Sequence, residues 1–286
     1  MTLKYGMDTS LLSQSFSREL VSIVTIFFYG TGMVLGFWGL FARRTKLQDM
    51  GCWLALIGFL FQTVMLFLGF HHGGLSSGAY LQMLAWFVGL AGLALWRFLR
   101  QKGAPILAIP LCLTLFIMSI PYLGNAILLP KTVQSSFYVL HIGTLFMSFA
   151  LISVSFIVSL LFLLLERRIK GKQSLKGFMQ DVPALSLLDK INAFGILTAF
   201  PLYTLGMISG LLRAKPTYGA TFTGDPKEVF SIVIWCLFAV LFHNRLVRAW
   251  TGKKPALMVV CIFCLCAFSL LVVNTVMESH HAFVRP

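Results

Sequence analysis

The chain has 286 residues, of which 58% are hydrophobic and only 11% are charged, and its mean hydropathy is +0.87. A soluble globular protein could not cover so much apolar side chain, so the composition excludes that class and indicates a polytopic membrane protein. The formal net charge of +14 could suggest a nucleic-acid partner. The positions of the basic residues favour a topological explanation instead, and no nucleic-acid binding is expected.

Eight apolar runs are long enough to cross a hydrocarbon core about 30 Å thick, which takes about 20 helical residues. The sequence therefore predicts an all-α membrane protein with eight transmembrane helices in a single domain, residues 1–286, with spans one to four in 1–136 and five to eight in 137–286. The runs are Leu20–Phe41, Met50–Phe70, Tyr80–Phe98, Pro105–Gly124, Phe137–Leu165, Leu187–Leu212, Glu228–Val247 and Pro255–Met277.

Basic residues concentrate in alternate connections between these runs. Cytoplasmic connections carry the excess of Lys and Arg, so both termini are predicted on the outer, periplasmic side of a bacterial inner membrane. Residues 1–19 are polar and the first run is long enough to span, so no cleavable signal is expected. The basic clusters are Arg43, Arg44 and Lys46; Arg97, Arg100 and Lys102; Arg167, Arg168, Lys170, Lys172, Lys176 and Lys190; and Arg245, Arg248, Lys253 and Lys254.

Small and polar residues within the runs predict helix contacts. Gly32 and Gly36 in the first run, and Gly206 and Gly210 in the sixth, have the four-residue spacing that allows close helix packing. Gln62 lies near the middle of the second run, where a polar amide is costly, so it is predicted to face other helices rather than lipid.

His141 lies in the fifth run, about one turn inside the outer end of a helix longer than the bilayer core. From the residues alone, it is either an interfacial hydrogen-bonding residue or an axial ligand, since a neutral imidazole suits both.

At the start of the sixth run, Ser186 and Asp189 have the spacing of a capping box.

The segment Asp225-Pro226-Lys227-Glu228 has the chemistry of a helix start. Asp at the N-cap accepts from first-turn amides, and Pro at the first helical position loses an amide that had no partner. Glu228 has the spacing that would let it reach back to Asp225 in a capping box. The segment therefore predicts where the seventh helix enters the membrane.

This part of the chain resembles the signature of the cytochrome c assembly family, membrane proteins that handle haem and include CcsA and HemX. The family pattern is approximately WGxxWxWDPKE, a Trp in the next helix, and LHxR. Tyr, Phe and Gly stand here where three tryptophans are expected, which favours the HemX-like branch. The residues at the positions of this pattern are Tyr218, Gly219, Phe222, Gly224, Asp225 to Glu228, Trp235, His243 and Arg245.

The resemblance implies that haem b binds at the outer membrane surface with His141 and His281 as iron ligands. Tyr218 and Phe222 would stack on the porphyrin, and Asp225 and Trp235 belong to the same motif. His243 has three open readings: a second haem ligand, a relay for haem from the cytoplasm, or an interfacial histidine. At Gln62 the family commonly has a histidine.

In function, the resemblance implies that the protein holds or presents haem for cytochrome c assembly or haem homeostasis, with a CcsB-like partner and apocytochrome c. No catalytic triad or Walker loop accompanies the motif, so an independent enzyme is not expected. One alternative is a membrane regulator of a cytoplasmic tetrapyrrole-synthesis enzyme, contacted by the basic segment from Arg167 to Lys176. The other is a b-type electron-transfer protein.

Overall fold

The computed structural model describes residues 2–71, 77–99, 103–122, 136–175 and 182–273, and all regular elements within them are helical. The chain divides into two compact units, Met1–Ile127 and Leu128–Pro286. The first contains α1 (Thr2–Ala42), α2 (Thr45–His71), α3 (Ser77–Leu99) and α4 (Gly103–Ser119), which ends in the 3₁₀ turn Ile120–Tyr122. The second contains α5 (Ser136–Lys170), α6 (Leu185–Tyr218), α7 (Pro226–Leu246) and α8 (Lys253–Phe268), which continues as the π-helical turn Ser269–Val273.

Seven of the described helices, α1 to α7, are long and apolar enough to cross a membrane. The predicted all-helical membrane protein is therefore confirmed. The α-helical part of α8 has 16 residues before its π-helical turn. The eighth span and the outer location of both termini stay predictions.

The first two helices form a hairpin whose backbones nearly touch. A Cβ atom on Gly51 would lie 2.7 Å from the Cα of Gly36, and one on Gly32 would lie 3.0 Å from the carbonyl oxygen of Gly51. Arg43, with a φ of 56°, lies in the connection between the helices. The close packing predicted from Gly32 and Gly36 is thus confirmed, and its partner is Gly51 of α2.

Gln62 lies in a hydrogen-bonded network inside the first unit. Its side chain is completely buried, accepts from the Tyr29 hydroxyl at 2.7 Å and donates to the backbone oxygen of Gln82 at 2.9 Å. The prediction that it faces other helices is confirmed. Because both ends of the amide are hydrogen-bonded to α1 and α3, Gln62 ties three helices together.

In the second unit, α5 and α6 run antiparallel along a face of small and polar residues. The Ser148 hydroxyl donates to the carbonyl of Ala199 at 2.8 Å, and the Asn192 amide donates to the Ser159 hydroxyl at 2.5 Å. A Cβ atom on Gly195 would overlap the Ser155 hydroxyl. Side chains of this size let the two backbones approach closely within an apolar environment.

The predicted capping box of Ser186 and Asp189 is wrong. Helix α6 begins at Leu185 with Ala184 at the N-cap, and no side chain caps it. The Asp189 carboxylate instead forms an ion pair with Arg245 of α7 at 3.0 Å. The charged guanidinium of Arg245 is a stronger hydrogen-bond donor to this carboxylate than a backbone amide of the first turn would be.

We predict that Gly51→Ala destabilises the protein, because the added methyl group meets the backbone of α1 and the two helices must separate. Overpacking of this kind costs about 1 to 3 kcal/mol. Thermal unfolding in detergent measures the change. Gly30→Ala is the matched control, since nothing lies within 4 Å of a Cβ atom there. Equal stability of the two variants would contradict the tight α1–α2 contact.

Candidate functional site

Asp225 caps the start of α7 as predicted. Its Oδ1 atom accepts a hydrogen bond from the backbone N–H of Lys227 at 2.8 Å, and Pro226 occupies the first helical position. The residue is 6% exposed. A carboxylate at this place satisfies a first-turn amide and complements the positive end of the helix dipole.

Glu228 does not close a capping box with Asp225. Its carboxylate reaches further back and accepts from the backbone N–H of Thr223 at 2.8 Å and from the Thr223 hydroxyl at 3.1 Å. Gly224, with a φ of +76°, turns the chain between them and brings Thr223 to the carboxylate. Glu228 therefore fixes the loop before α7 rather than the N-cap residue itself.

The loop between α6 and α7 displays an aromatic ring. At one end Gly219, with a φ of +81°, terminates α6 by donating its N–H to the carbonyl of Lys215 at 2.9 Å. At the other end Thr223 is held by Glu228. Between these anchors Phe222 is 50% exposed. Tyr218 is the last residue of α6, and its side chain lies outside the described part.

His141 lies on α5 with its ring against α6. Its Nδ1 atom is 2.6 Å from the carbonyl oxygen of Gly206. Because a carbonyl can only accept, Nδ1 carries the proton and donates it. The neutral ring then has its lone pair on Nε2, the atom that a metal would bind.

Gly210 makes room for this ring. A Cβ atom on Gly210 would lie 2.6 Å from Cε1 and 2.8 Å from Nδ1 of His141. A Cβ atom on Gly206 would meet the side chain of Leu145 at 2.6 Å. The close packing predicted for Gly206 and Gly210 is confirmed. Because Gly210 has no side chain, the His141 imidazole can lie against α6.

Trp235 faces α6 within the helical part of the second unit. Its indole N–H donates to the Thr204 hydroxyl at 3.0 Å, and its ring centroid is 5.9 Å from that of Phe200. The Tyr203 hydroxyl donates to the carbonyl of Ser231 one turn earlier on α7. These contacts set the register between α6 and α7.

His243 lies on the exposed face of α7, three residues before the helix ends at Leu246. Its backbone carbonyl accepts from the N–H of Val247 at 2.8 Å. The next two residues, Asn244 and Arg245, are buried. The ring of His243 is therefore presented away from the interior of the second unit.

The predicted pairing of His141 with His281 depends on residues 274–286, which lie outside the described part of the chain. The structure does bring His141 to Gly206 and Gly210, and Asp225 to the loop that displays Phe222. His243 belongs to the other end of α7.

The sequence patterns did not indicate the hydrogen-bonded cluster of Asp189, Asn192 and Arg245, in which Asn192 and Arg245 are buried. They indicated a family motif and a cytoplasmic connection for Arg245, and a helix cap for Asp189. The available signal was the position of both charges inside candidate spans, Leu185–Leu212 and Pro226–Leu246, where a charged side chain needs a partner.

These observations define a helical membrane protein with a positioned imidazole and an aromatic loop. The sequence profile of the family described as Cytochrome C assembly protein matches residues 75–281, which is more than half of the chain. The chain belongs to the cytochrome c assembly protein family.

Three similar proteins, each named cytochrome c biogenesis protein CcsA, show how far the likeness extends. The protein from Chlamydomonas reinhardtii is 31% identical over 156 residues, covering 54% of this chain and 42% of its own length. The one from Guillardia theta is 26% identical over 71% of this chain and 73% of its own. The one from Mesostigma viride is 22% identical over 96% of both chains.

We predict that Glu228→Ala loosens the loop that carries Phe222. Loss of a hydrogen bond to a charged acceptor costs about 1.5 to 3 kcal/mol, which corresponds to roughly tenfold to hundredfold faster exchange of the Thr223 amide. Hydrogen exchange of a peptide covering 219–225 measures this. Glu166→Ala is the control, because Glu166 pairs with Lys170 on α5 instead. Unchanged exchange in Glu228→Ala would contradict the anchoring role.

Proposed function

We propose that this protein binds haem b at the outer membrane surface through His141 and His281, and holds or presents it for cytochrome c assembly. The observation that carries the proposal is the hydrogen bond from Nδ1 of His141 to the Gly206 carbonyl. Membership of the cytochrome c assembly family gives the general function. The names of the similar proteins support assembly over the alternatives.

The hydrogen bond to Gly206 fixes the His141 ring in the tautomer and the orientation that suit a metal ligand. Ligating histidines donate their other ring N–H to a carbonyl or carboxylate, which fixes the tautomer and the ring orientation. Gly206 supplies that acceptor and Gly210 the space beside it. His141 would thus offer Nε2 to the iron at little further cost in side-chain entropy, since its ring is already oriented.

The aromatic loop lies at the same end of α6 as the ring. Helix α6 continues from Gly210 for eight residues to Tyr218, which is about 12 Å at 1.5 Å per residue. Phe222 then follows on a loop that is tied at both ends. In the proposal, Tyr218 and Phe222 cover the apolar face of the porphyrin, and Asp225 and Trp235 maintain the start and register of α7.

Haem supplies the iron centre and a large apolar surface. The residues of this chain would bind and orient it: His141 and His281 would hold the iron through neutral imidazoles, and aromatic side chains would exclude water from the porphyrin. The expected partners are apocytochrome c and a CcsB-like assembly protein. The proposed location is a bacterial inner membrane.

Tyr218, Phe222 and Gly224 stand where the family pattern has tryptophan, which supports placing the chain near the HemX-like branch. In that case the same haem site would serve haem homeostasis. Haem binding through His141 is common to both versions of the proposal.

We predict that the purified protein contains low-spin haem with two histidine ligands. His141→Ala and His281→Ala should each abolish or shift the Soret and alpha bands, because each removes one axial ligand. The absorption spectrum and the haem-to-protein ratio measure this. His71→Ala is the comparison variant and should have a smaller effect. Wild-type spectra and haem content in both His141→Ala and His281→Ala would overturn the proposed ligands.

We also predict that Gly210→Ala perturbs haem binding without removing a ligand. The added methyl group would lie 2.6 Å from Cε1 of His141, so the ring must move. We expect a shifted low-spin spectrum and reduced haem retention. The matched control is Gly143→Ala, two residues from His141, where nothing lies within 4 Å of a Cβ atom. Identical spectra for the two variants would contradict a role for the Gly210 contact.

A further inference from the structure

An ion pair between the buried Arg245 and the partly buried Asp189 joins the start of α6 to the end of α7. The Arg245 side chain is 3% exposed and forms two parallel hydrogen bonds with Asp189, from Nη1 to Oδ2 and from Nη2 to Oδ1, each 3.0 Å long. Paired hydrogen bonds of this kind fix the relative orientation of the two groups as well as their distance. The pair therefore constrains how α7 is rotated against α6.

Further hydrogen bonds extend this pair into a cluster, which we call the Arg245 cluster. Nη2 of Arg245 also donates to Oδ1 of Asn192 at 2.7 Å, and Nη1 donates to the carbonyl of Trp250 at 2.8 Å. Asp189 in turn accepts from the backbone N–H of Gly252 at 3.0 Å. The cluster thus holds the last turn of α7 and the connection to α8 against α6.

The cluster reaches α5 as well. Asn192 donates to the hydroxyl of Ser159, so Arg245, Asn192 and Ser159 link three helices in sequence. The Nε atom of Arg245 and Oδ1 of Asn244 are buried without a hydrogen-bond partner among the described residues. A buried ion pair with an unsatisfied donor is an inefficient source of stability, and apolar residues would pack the same space at no electrostatic cost. Fixed orientation is the property that such packing would not supply.

The orientation of α7 decides where His243 points. Residues two apart in an α-helix differ by about 200° around its axis. Burial of Arg245 therefore turns the His243 ring to the opposite, exposed face of α7. Val240 and Val247 share that face and are 49% and 66% exposed. By fixing the rotation of α7, the cluster sets the direction in which the His243 side chain leaves the helix.

We propose that Arg245 is a positioning residue for His243: its pairing with Asp189 and Asn192 fixes the rotation of α7, so that the His243 imidazole is presented beside an apolar surface to a metalloporphyrin. The identity of the ligand rests on the proposed haem function. The positioning itself rests on the geometry of the cluster.

The test is a double-mutant cycle of Arg245→Lys and His243→Ala, read by titration of the purified full-length protein with haemin. Lysine keeps the charge but cannot make two parallel hydrogen bonds with the Asp189 carboxylate. Each single variant should weaken haemin binding severalfold. If Arg245 acts through His243, the double variant binds no more weakly than His243→Ala alone, because the two effects are not additive.

Asn192→Ala is the milder second variant, since it removes one acceptor from Arg245 and leaves the ion pair intact. It should show a smaller effect of the same kind and the same non-additivity with His243→Ala. Lys170→Ala is the control, because it breaks the exposed pair with Glu166, in which the Lys170 side chain is 70% exposed. Its haemin affinity should equal that of the wild type.

Additive effects of Arg245→Lys and His243→Ala would overturn the proposal, as would wild-type haemin affinity in either single variant. Failure of both Arg245→Lys and Asn192→Ala to fold, judged by thermal unfolding, would also overturn it, because the cluster would then support the fold rather than the rotation of α7. The proposed function has a separate test. It fails if His141→Ala and His281→Ala both leave the haem spectrum and haem content unchanged, whatever the result of this cycle.

Discussion

Inside a bilayer, polar groups must find partners within the protein, and the close pairing of α5 with α6 is how the second unit meets this constraint. The contact face alternates small residues with short hydrogen-bonding ones. Ser148 donates to Ala199, and Asn192 donates to Ser159. Because no bulky side chain separates the helices, side chains of α5 reach the backbone carbonyls of α6 directly. The contact between His141 and Gly206 is one member of this series.

Helix α6 contributes to two different sites, one near each of its ends. Near the end of the helix, Gly206 and Gly210 hold an imidazole whose proton is fixed on Nδ1. Near its start, Asp189 and Asn192 hold the guanidinium of Arg245. Both arrangements use α6 as the fixed reference against which another helix is oriented. A shift in the register of α6 would therefore disturb both ends together.

Helix α7 is hydrogen-bonded to α6 at two positions along its length. The indole N–H of Trp235 donates to the Thr204 hydroxyl, and the Tyr203 hydroxyl donates to the carbonyl of Ser231, so two hydrogen bonds set the register between α6 and α7. At the far end the Arg245 cluster fixes the rotation of the last turn. The family motif thus contains residues with distinct physical roles. Asp225 starts the helix, Trp235 sets its register and Arg245 fixes its rotation.

The helices could be predicted because long apolar runs have few alternatives in a membrane protein, and the N-cap at Asp225 could be predicted because its partner is two residues away. Predictions for Glu228 and Asp189 were wrong because local spacing rules do not include competing partners. Thr223 lies just beyond the cap, and Arg245 is 56 residues from Asp189.

The position of the His141 ring against α6 could not be predicted from the sequence, for a different reason. Gly206 and Gly210 predicted close packing, but not which side chain would lie over them. The hydrogen-bond acceptor is a backbone carbonyl 65 residues away, and a backbone carbonyl has no signature in the sequence. Gln62 could be predicted to face other helices because the cost of a polar amide in hydrocarbon applies whatever its partners are.

The hydrogen bond from His141 to the Gly206 carbonyl requires the ring to carry a proton on Nδ1. Nitrogen-15 NMR of histidine-labelled protein tests this directly, with the His141 signals assigned by their loss in His141→Gln. We expect a protonated Nδ1 in the haem-free protein and, when the ring is neutral, an unprotonated Nε2. A His141 ring with its only proton on Nε2 would contradict the hydrogen bond to Gly206. It would also contradict the proposal that Nε2 is the atom that binds the iron.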